Sequence, residues 1–478
     1  MELFERLAAQ GAMIERLSSD SRRCGPGTAF FAYRGEKGDG RRHIADALAR
    51  GAAAVVWEKA EGFSWDRAWR VPNIGMAALK QRAGKLAADF YDRPSEALWV
   101  CGITGTNGKT SCSQWVAASL AKSGVRAAVI GTLGSGYPGN LSDAGNTTPD
   151  AIVLQERLAG FRREGAAAVA MEVSSHGLAQ GRVNGVRFAC ALFTNLSHDH
   201  LDYHGSMEAY ADAKSRLFTT PGLEAAVLNL DDPLGRELAR KTRARGVRTV
   251  GYALDTPAPA VDDYVALEGD TIVSSWGRAP LRVNAVGRFN TANALGVLGC
   301  LLVKGLPIAE AARLLRELPA VPGRMQKIGE HPLVVVDYAH TPDALEKVLG
   351  ALRPVAEARR GRLIAVFGAG GDRDPSKRPL MGVVAARLSD RVILTSDNPR
   401  GEAPETIIAA IAAGAGRDCD IEPDRGRAIV AAIAGASDED VVLIAGKGHE
   451  SYQEVRGTRI PFSDEAAARD ALASRGRR

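Results

Sequence analysis

The sequence predicts an α/β protein of three domains, on three observations. The chain has 478 residues, about three times the ~150 of an average domain. Continuous apolar runs of strand length alternate with helical stretches over most of it, the pattern of parallel sheets covered by helices. Hydrophobic residues make up 45% and charged residues 24%, an ordinary globular balance with apolar surface for several cores.

Residues 1–94 read as a small α/β domain. "TAFFAYRG" is a strand, and "HIADALARGAAAVVWE" is a helix running into a strand. Arg93-Pro94-Ser95 makes a loop, after which "ALWVCGIT" is a buried strand of the parallel-sheet type. It opens a second domain, 95–320, with "RAAVIGT", "AAAVAMEV", "FACALFTNL" and "AAVLNL" as further strands. Pro319 to Pro332, rich in Pro and Gly, reads as a hinge. The third domain, 321–478, has the strands "LVVVDYAH", "LIAVFGAGG", "RVILTSD" and "DVVLIAGKG", each ending in polar or glycine-rich residues. In open α/β sheets ligands bind at such carboxyl ends.

Charge and cysteines narrow the function. With 61 basic and 56 acidic residues the formal charge is +5, and no long Lys/Arg block marks a nucleic-acid partner. The short clusters "DSRRC" and "DGRRHI" suit a phosphorylated ligand equally well. The six cysteines show no CxxC spacing and read as reduced thiols of a cytoplasmic protein. "MELFERLAAQGAMIERL" has no cationic start before an apolar stretch, so no signal peptide is expected. No window approaches ~18 uninterrupted apolar residues, so no membrane span is expected.

"CGITGTNGKTSCSQWVAASLAKSG" carries the strongest chemical signal. A strand ending at Ile103, a glycine-rich loop and a helix starting near Lys109 would aim backbone N–H groups at phosphate oxygens. Lys109 would reach the β/γ-phosphates and Thr110 would hold Mg²⁺. The spacing GxxxxGK[ST] fails by one residue, since position 103 is isoleucine. The alternative is a glycine-rich turn with an exposed lysine.

Four of the eight histidines, His176, His198, His200 and His204, fall in "MEVSSHGLAQGRV" and "NLSHDHLDYHG". Both segments follow strands and so share a sheet rim with the loop. Glu172, one residue before the end of its strand, can take a hard cation such as Mg²⁺, and an imidazole such as His200 can complete the shell of a second. For His198 and His204 a hydrogen bond that merely holds a loop is the alternative. Lys214, in "YADAKSRLF", sits on a short amphipathic helix, where a lysine is normally solvated. "ILTSDNPRGE" delivers an acid, an amide, a proline and an arginine straight from a strand. That is either an ordinary turn or a site for a charged ligand.

Ten motifs in one order, "TGTNGKT", "GNTTPD", "MEVSSHGLAQGRV", "NLSHDHLDYHG", "YADAKSRLF", "GRFNTANALG", "VDYAHTPDAL", "GAGGDRDPSKRPLMG", "SDNPRGE" and "GKGHESYQ", resemble the Mur ligases. The resemblance runs through all three domains. It implies a small N-terminal α/β domain for a UDP-linked substrate, a central P-loop-type, mostly parallel sheet for ATP, and a Rossmann-like C-terminal domain for an incoming amino acid. It implies an ATP- and Mg²⁺-dependent ligase joining meso-diaminopimelate to UDP-MurNAc-L-Ala-D-Glu. The expected enzyme is a cytoplasmic monomer with small-molecule substrates and no nucleic-acid partner.

By the same resemblance, Ser19, Ser21 and the loop Glu36, Lys37 and Gly38 would contact the UDP-sugar. Asn146, Thr147, Thr148, Ser174, Gln180 and Arg182 would hold the muramoyl dipeptide. Gly105, Thr106, Asn107, Gly108, Lys109, Thr110 and Ser111 would bind ATP with Asn293, Arg324, Asp337 and His340. Thr110, Glu172 and His200 would bind metal together with Lys214, which matches a lysine carried as its carbamate. Lys109, Lys214 and His200 would be the catalytic set. Arg373, Asp397, Asn398, Pro399, Arg400, Gly446 and Glu450 match the site for the diamino acid. Two rivals remain open: a sister ligase for another amino acid, and a nucleotide switch that makes no covalent product.

Overall fold

The computed structural model describes residues 2–36, 38–142, 145–254, 261–281, 287–318, 320–416 and 419–475. Three sheets follow one another along the chain. The first has four parallel strands in sequence order, Arg16–Ser18, Thr28–Ala32, Ala54–Glu58 and Asn73–Met76. The helix Leu79–Phe90 packs Leu79, Ala83 and Ala87 into the same core as Phe31 and Val56.

The central sheet has eleven strands. Its parallel middle runs, in spatial order, Asp263–Glu268, Arg248–Ala253, Ala225–Asn229, Cys190–Phe193, Trp99–Thr104, Ala168–Glu172 and Ala127–Gly131. Its strands are apolar on both faces because helices cover both: one core gathers around Trp115, Val116 and Leu298, the other around Leu154, Leu158 and Phe188. The chain leaves Trp99–Thr104 to build strands on one side, then crosses to build Cys190–Phe193 and its successors on the other. The loop after Thr104 therefore opens at a topological switch point, where α/β sheets bind ligands.

The third sheet has six strands, five of them parallel, with Leu333–Asp337, Val441–Ala445, Leu363–Phe367 and Arg391–Leu394 side by side. A separate hairpin, Tyr452–Val455 with Thr458–Pro461, follows. No helix among the described residues is long and apolar enough to cross a membrane.

Several boundaries differ from the sequence reading. The segment read as a hinge, whose first residue Pro319 lies outside the described residues, holds the strand Gln326–Glu330, antiparallel to Leu333–Asp337. At a sheet edge one face stays wet, so "QKIGE" needs no apolar run. Both edges of the central sheet gain antiparallel strands, Gly134–Tyr137 with Asn140–Ser142 and Thr271–Ser274 with Gly277–Pro280; their glycines and polar residues hid them. Arg93-Pro94-Ser95 leads into a turn of 3₁₀ helix, Pro94–Glu96. The strand before the loop ends at Thr104 rather than Ile103, and Glu172 is the last residue of its strand.

Candidate active site

The loop Gly105–Gly108 joins Thr104 to the helix Lys109–Lys122. Gly105 and Gly108 have φ of 149° and 87°, which favour glycine. A Cβ at Gly105 would strike the Thr194 hydroxyl, and one at Gly108 the Asn293 amide. The Lys109 ammonium curls over its own loop, donating to the carbonyls of Gly105 at 2.7 Å and Thr106 at 2.8 Å. Burial lowers its pKa, against the opposing pull of Glu172 and Asp199.

Glu172 stands beside this loop and is buried. Thr110 Oγ1 donates to its Oε2 at 3.0 Å, and Thr132 donates from its backbone N at 2.7 Å and its hydroxyl at 3.1 Å. Arg324, from the third domain, donates to Thr110 Oγ1 at 3.1 Å. A carboxylate and a hydroxyl in contact at a strand end form a hard-oxygen set that fits Mg²⁺.

Lys214 is not solvated. It is 1% exposed, because the helix Met207–Ser215 turns Tyr210, Ala213 and Lys214 inward. Its Nζ donates to Gly105 O at 2.8 Å and lies 4.2 Å from the centre of the Tyr210 ring. Among the described residues no carboxylate pairs with it. Burial, followed by repulsion from Lys109, drives its pKa well below the usual lysine range. That favours the neutral amine, the form that reacts with carbon dioxide.

Burial also lowers His200, to about 3, and His176, to about 4. Their rings meet edge-on at 4.8 Å, and both are uncharged at neutral pH with a lone pair to offer. Asp199 lies 3.4 Å from His200 Nε2. His204 is held by Ser175 Oγ at 3.0 Å.

Lys109, Thr110, Thr132, Glu172, His176, Asp199, His200, Lys214 and Arg324 line one cavity of about 910 Å³, and His204 does not. Of the expected nucleotide residues, Thr106–Ser111, Asn293, Arg324, Asp337 and His340 reach it. Gly105 is not in the lining. Asp337 is fixed by the backbone N–H groups of Met325 and Ala339, both at 2.7 Å. Arg324 lies over the Tyr338 ring at 4.2 Å. Asn146, Thr147, Thr148, Ser174, Gln180 and Arg182 line the same cavity, as does Glu36. Arg182 is aimed by Gln180 Oε1 at 2.9 Å and Thr148 O at 2.8 Å. Ser19, Ser21 and Gly38 stand outside the lining, and Lys37 lies outside the described residues.

Of the residues expected to meet the diamino acid, only Arg373 lines the cavity. Asp397, Asn398, Pro399, Arg400, Gly446 and Glu450 form a second cluster beside it; a Cβ on Gly370 would touch both Arg373 and Arg400. Arg400 has a φ of 50°. It is clamped by the hairpin: its N–H donates to Glu454 O at 2.9 Å and its O accepts from Arg456 N at 2.7 Å. Its guanidinium donates to Gly371 O at 2.8 Å and lies 3.4 Å from the Glu454 carboxylate. Lys447, fully buried, donates to Asn398 Oδ1 at 3.0 Å and Glu450 Oε2 at 2.9 Å. Asn398 Nδ2 closes the triangle on Glu450 Oε2 at 2.8 Å.

Sequence reasoning missed Thr132, Asp199, Lys447 and Glu454. Thr132 follows the strand "AAVIG" on the rim that carries Glu172, and the other three lie inside or just after motifs already singled out. Position at a strand end was the available signal.

A strand, a glycine-rich loop and a helix facing a buried carboxylate, a buried lysine and a second α/β domain define the class. The chain belongs to the Mur ligase family. The Mur ligase family catalytic domain matches residues 13–91, the Mur ligase middle domain 103–301, and the Mur ligase glutamate ligase domain 323–448. More particularly, it is 50% identical to the UDP-N-acetylmuramoyl-L-alanyl-D-glutamate–2,6-diaminopimelate ligase of Chromobacterium violaceum, over 98% of this chain and 96% of that one. It is 50% identical to the Pseudomonas aeruginosa protein of the same name, over 99% and 98%. A solved structure of a ligase of that name is 37% identical, with a TM-score of 0.66 over 97% of this chain and 95% of that one. MurF from Acinetobacter baumannii, 17% identical with a TM-score of 0.65 over 99% and 98%, shares the fold.

Proposed function

We propose that this chain is an ATP-dependent ligase that adds meso-2,6-diaminopimelate to the D-glutamate of UDP-MurNAc-L-Ala-D-Glu, a step of peptidoglycan precursor synthesis in the cytoplasm, and that it acts as a monomer. The observation that carries this reading is the single cavity into which the phosphate loop, Glu172 and Lys214 from one domain and Arg324, Asp337 and His340 from the next all project. The names of the relatives matched over nearly their whole length support the choice of substrates. We assign 1–94 to the UDP-substrate, 95–320 to ATP and 321–478 to the amino acid. Ser19, Ser21, Glu36, Lys37 and Gly38 belong to the first of these sites.

A carboxylate is a poor electrophile. Its oxygen attacks the γ-phosphorus of ATP, ADP leaves, and an acyl phosphate forms. The amine of diaminopimelate then attacks the acyl carbon, losing a proton as the amide forms and inorganic phosphate departs. Lys109 exchanges its two loop carbonyls for phosphoryl oxygens and neutralises the charge passing between them. Magnesium, held by Thr110, Glu172, His200 and the Lys214 carbamate, would neutralise more of it. Arg182 and Gln180 hold the acceptor. Burial among residues of two domains keeps water from the acyl phosphate.

Selectivity falls to the second cluster. One end of the diamino acid donates its amine, so the other must be read. Arg400 offers a planar fork to the distal carboxylate, and Glu450, with one oxygen held by Lys447 and Asn398, offers the other oxygen to the distal ammonium. L-Lysine lacks that carboxylate and would leave Arg400 unmatched. Arg400→Ala or →Lys is expected to raise the KM for meso-diaminopimelate far more than that for ATP and to narrow its advantage over lysine. Steady-state kinetics with both amino acids check this; unchanged selectivity in the variant refutes it.

Lys447→Met removes the donor shared by Asn398 and Glu450. Each acceptor loses a hydrogen bond from a buried charge, worth about 1.5–3 kcal/mol, so the KM for the diamino acid should rise by roughly 10–100-fold while the KM for ATP stays put. A parallel rise in both constants contradicts this role.

A further inference from the structure

Arg425 has the largest fully buried side chain among the described residues, and its partner Asp464 is fully buried too. Arg425 opens the helix Arg425–Ala434, and Asp464 opens the helix Asp464–Arg475. The guanidinium Nε and Nη2 donate to the two oxygens of Asp464, both at 2.7 Å. Nη2 donates also to Ala445 O at 2.9 Å, and Nη1 to Ser396 O at 3.2 Å. Those carbonyls end chain segments that lie on either side of the strand Leu363–Phe367 in the third sheet. Ser396 immediately precedes Asp397–Arg400, and Ala445 immediately precedes Gly446–Glu450. The proposed mechanism uses neither Arg425 nor Asp464.

Stability does not account for this pair. A cation at the first residue of a helix opposes the helix dipole, and a buried ion pair often stabilises no more than apolar residues of the same volume. What a guanidinium does here, and other side chains cannot, is hold a carboxylate with two parallel N–H bonds and still donate to two carbonyls. We infer that Arg425, clamped by Asp464, is a positioning residue for the amino-acid site: it ties together the two strand ends that carry Asp397–Arg400 and Gly446–Glu450, and so sets how Asn398 and Arg400 face Glu450. The inference rests on the function proposed above. The two segments meet closely over the guanidinium. A Cβ on Gly446 would come within 2.4 Å of Asp397 Oδ2 and lie 3.8 Å from Arg425 Nη2. One residue further out, Lys447 and Asn398 converge on Glu450 Oε2 at 2.9 and 2.8 Å. A slip of either segment by ~1 Å takes such contacts beyond hydrogen-bond length.

The test replaces both partners in the full chain, R425M with D464L, which removes the carbonyl ties and leaves no unpaired ion behind. The KM for meso-diaminopimelate is expected to rise by roughly 10–100-fold, the cost of misplacing a bound group by about 1 Å, with the KM for ATP unchanged and thermal unfolding still cooperative. Hydrogen exchange without substrates gives a readout independent of activity. The amides of Ser396, Arg400, Gly446 and Glu450 are hydrogen-bonded; they should exchange faster in the variant, and those of the loop before Lys109 should not. A folded variant with wild-type KM and wild-type exchange overturns the inference, as does a parallel rise in both KM values or faster exchange throughout. Should the wild type turn over no diaminopimelate, the proposed function fails and exchange alone decides this inference. Should R425M/D464L not fold, R425K decides on the same readouts. Lysine keeps the charge but lacks the planar fork that reaches Asp464 and both carbonyls, so the same split is expected, and wild-type values overturn the inference.

Discussion

Lys109→Ala is expected to lower kcat by about 10²-fold or more with the fold intact, the usual cost of removing one preorganised charge from a transition state. The structure says why the fold should survive. Lys109 contacts two carbonyls of its own loop and no carboxylate among the described residues, while the loop's shape is set by Gly105 and Gly108 and by Thr194 and Asn195. Thr194 Oγ1 donates to Asn107 O at 2.6 Å, and Asn195 Oδ1 accepts from Asn107 N at 3.0 Å. Single-turnover measurement of ADP formation isolates phosphoryl transfer from later steps. Circular dichroism and thermal unfolding of the purified variant establish that it is folded. Near-normal ADP formation in a folded variant removes the phosphate-loop assignment.

Lys214→Ala is expected to lose activity by about 10–100-fold, the scale on which groups around a metal matter. Burial lowers the pKa of the lysine amine and so favours the neutral form, which adds to carbon dioxide to give the carbamate and one proton. The product is an anionic oxygen donor of the kind magnesium takes, placed at the carbonyl that Lys109 also uses. A loop-propping role would likewise make the variant weak, so rescue separates the two. Millimolar acetate or propionate should restore part of the activity by standing in for the carbamate, and bicarbonate should not. A variant as active as the wild type contradicts the assignment, as does a weak variant that no carboxylate improves.

The parallel strands were readable because burial on both faces forces continuous apolar runs, as in "AVIG" and "VVLIA". The strand–loop–helix at 99–122 was readable because Gly-Lys-Thr follows such a run. The edge strands Asn140–Ser142 and Gln326–Glu330 were not, since an edge needs neither apolar runs nor strict alternation. The burial of Lys214 was beyond local pattern. It arises because the short helix around it packs on a loop 109 residues earlier in the chain, and helical periodicity gives a lysine on a nine-residue helix no reason to turn inward. Lys447 hid for the same reason: its partners Asn398 and Glu450 converge only when two strand ends lie on one rim. The amino-acid cluster shows a further limit. "DNPR" puts an arginine at a strand end, and it is held by Glu454 and Arg456 of a hairpin some fifty residues on, which no local pattern shows.

The central claim, that the cavity joins an amino acid to an activated carboxylate, is tested most directly by measuring phosphate release from ATP with the purified enzyme. UDP-MurNAc-L-Ala-D-Glu and a panel of amino acids are supplied singly and together. The account predicts sustained release only when the UDP-dipeptide and meso-diaminopimelate are both present, with L-lysine far weaker and each compound alone near background. Steady release from ATP with neither compound, or a preference for lysine, contradicts it.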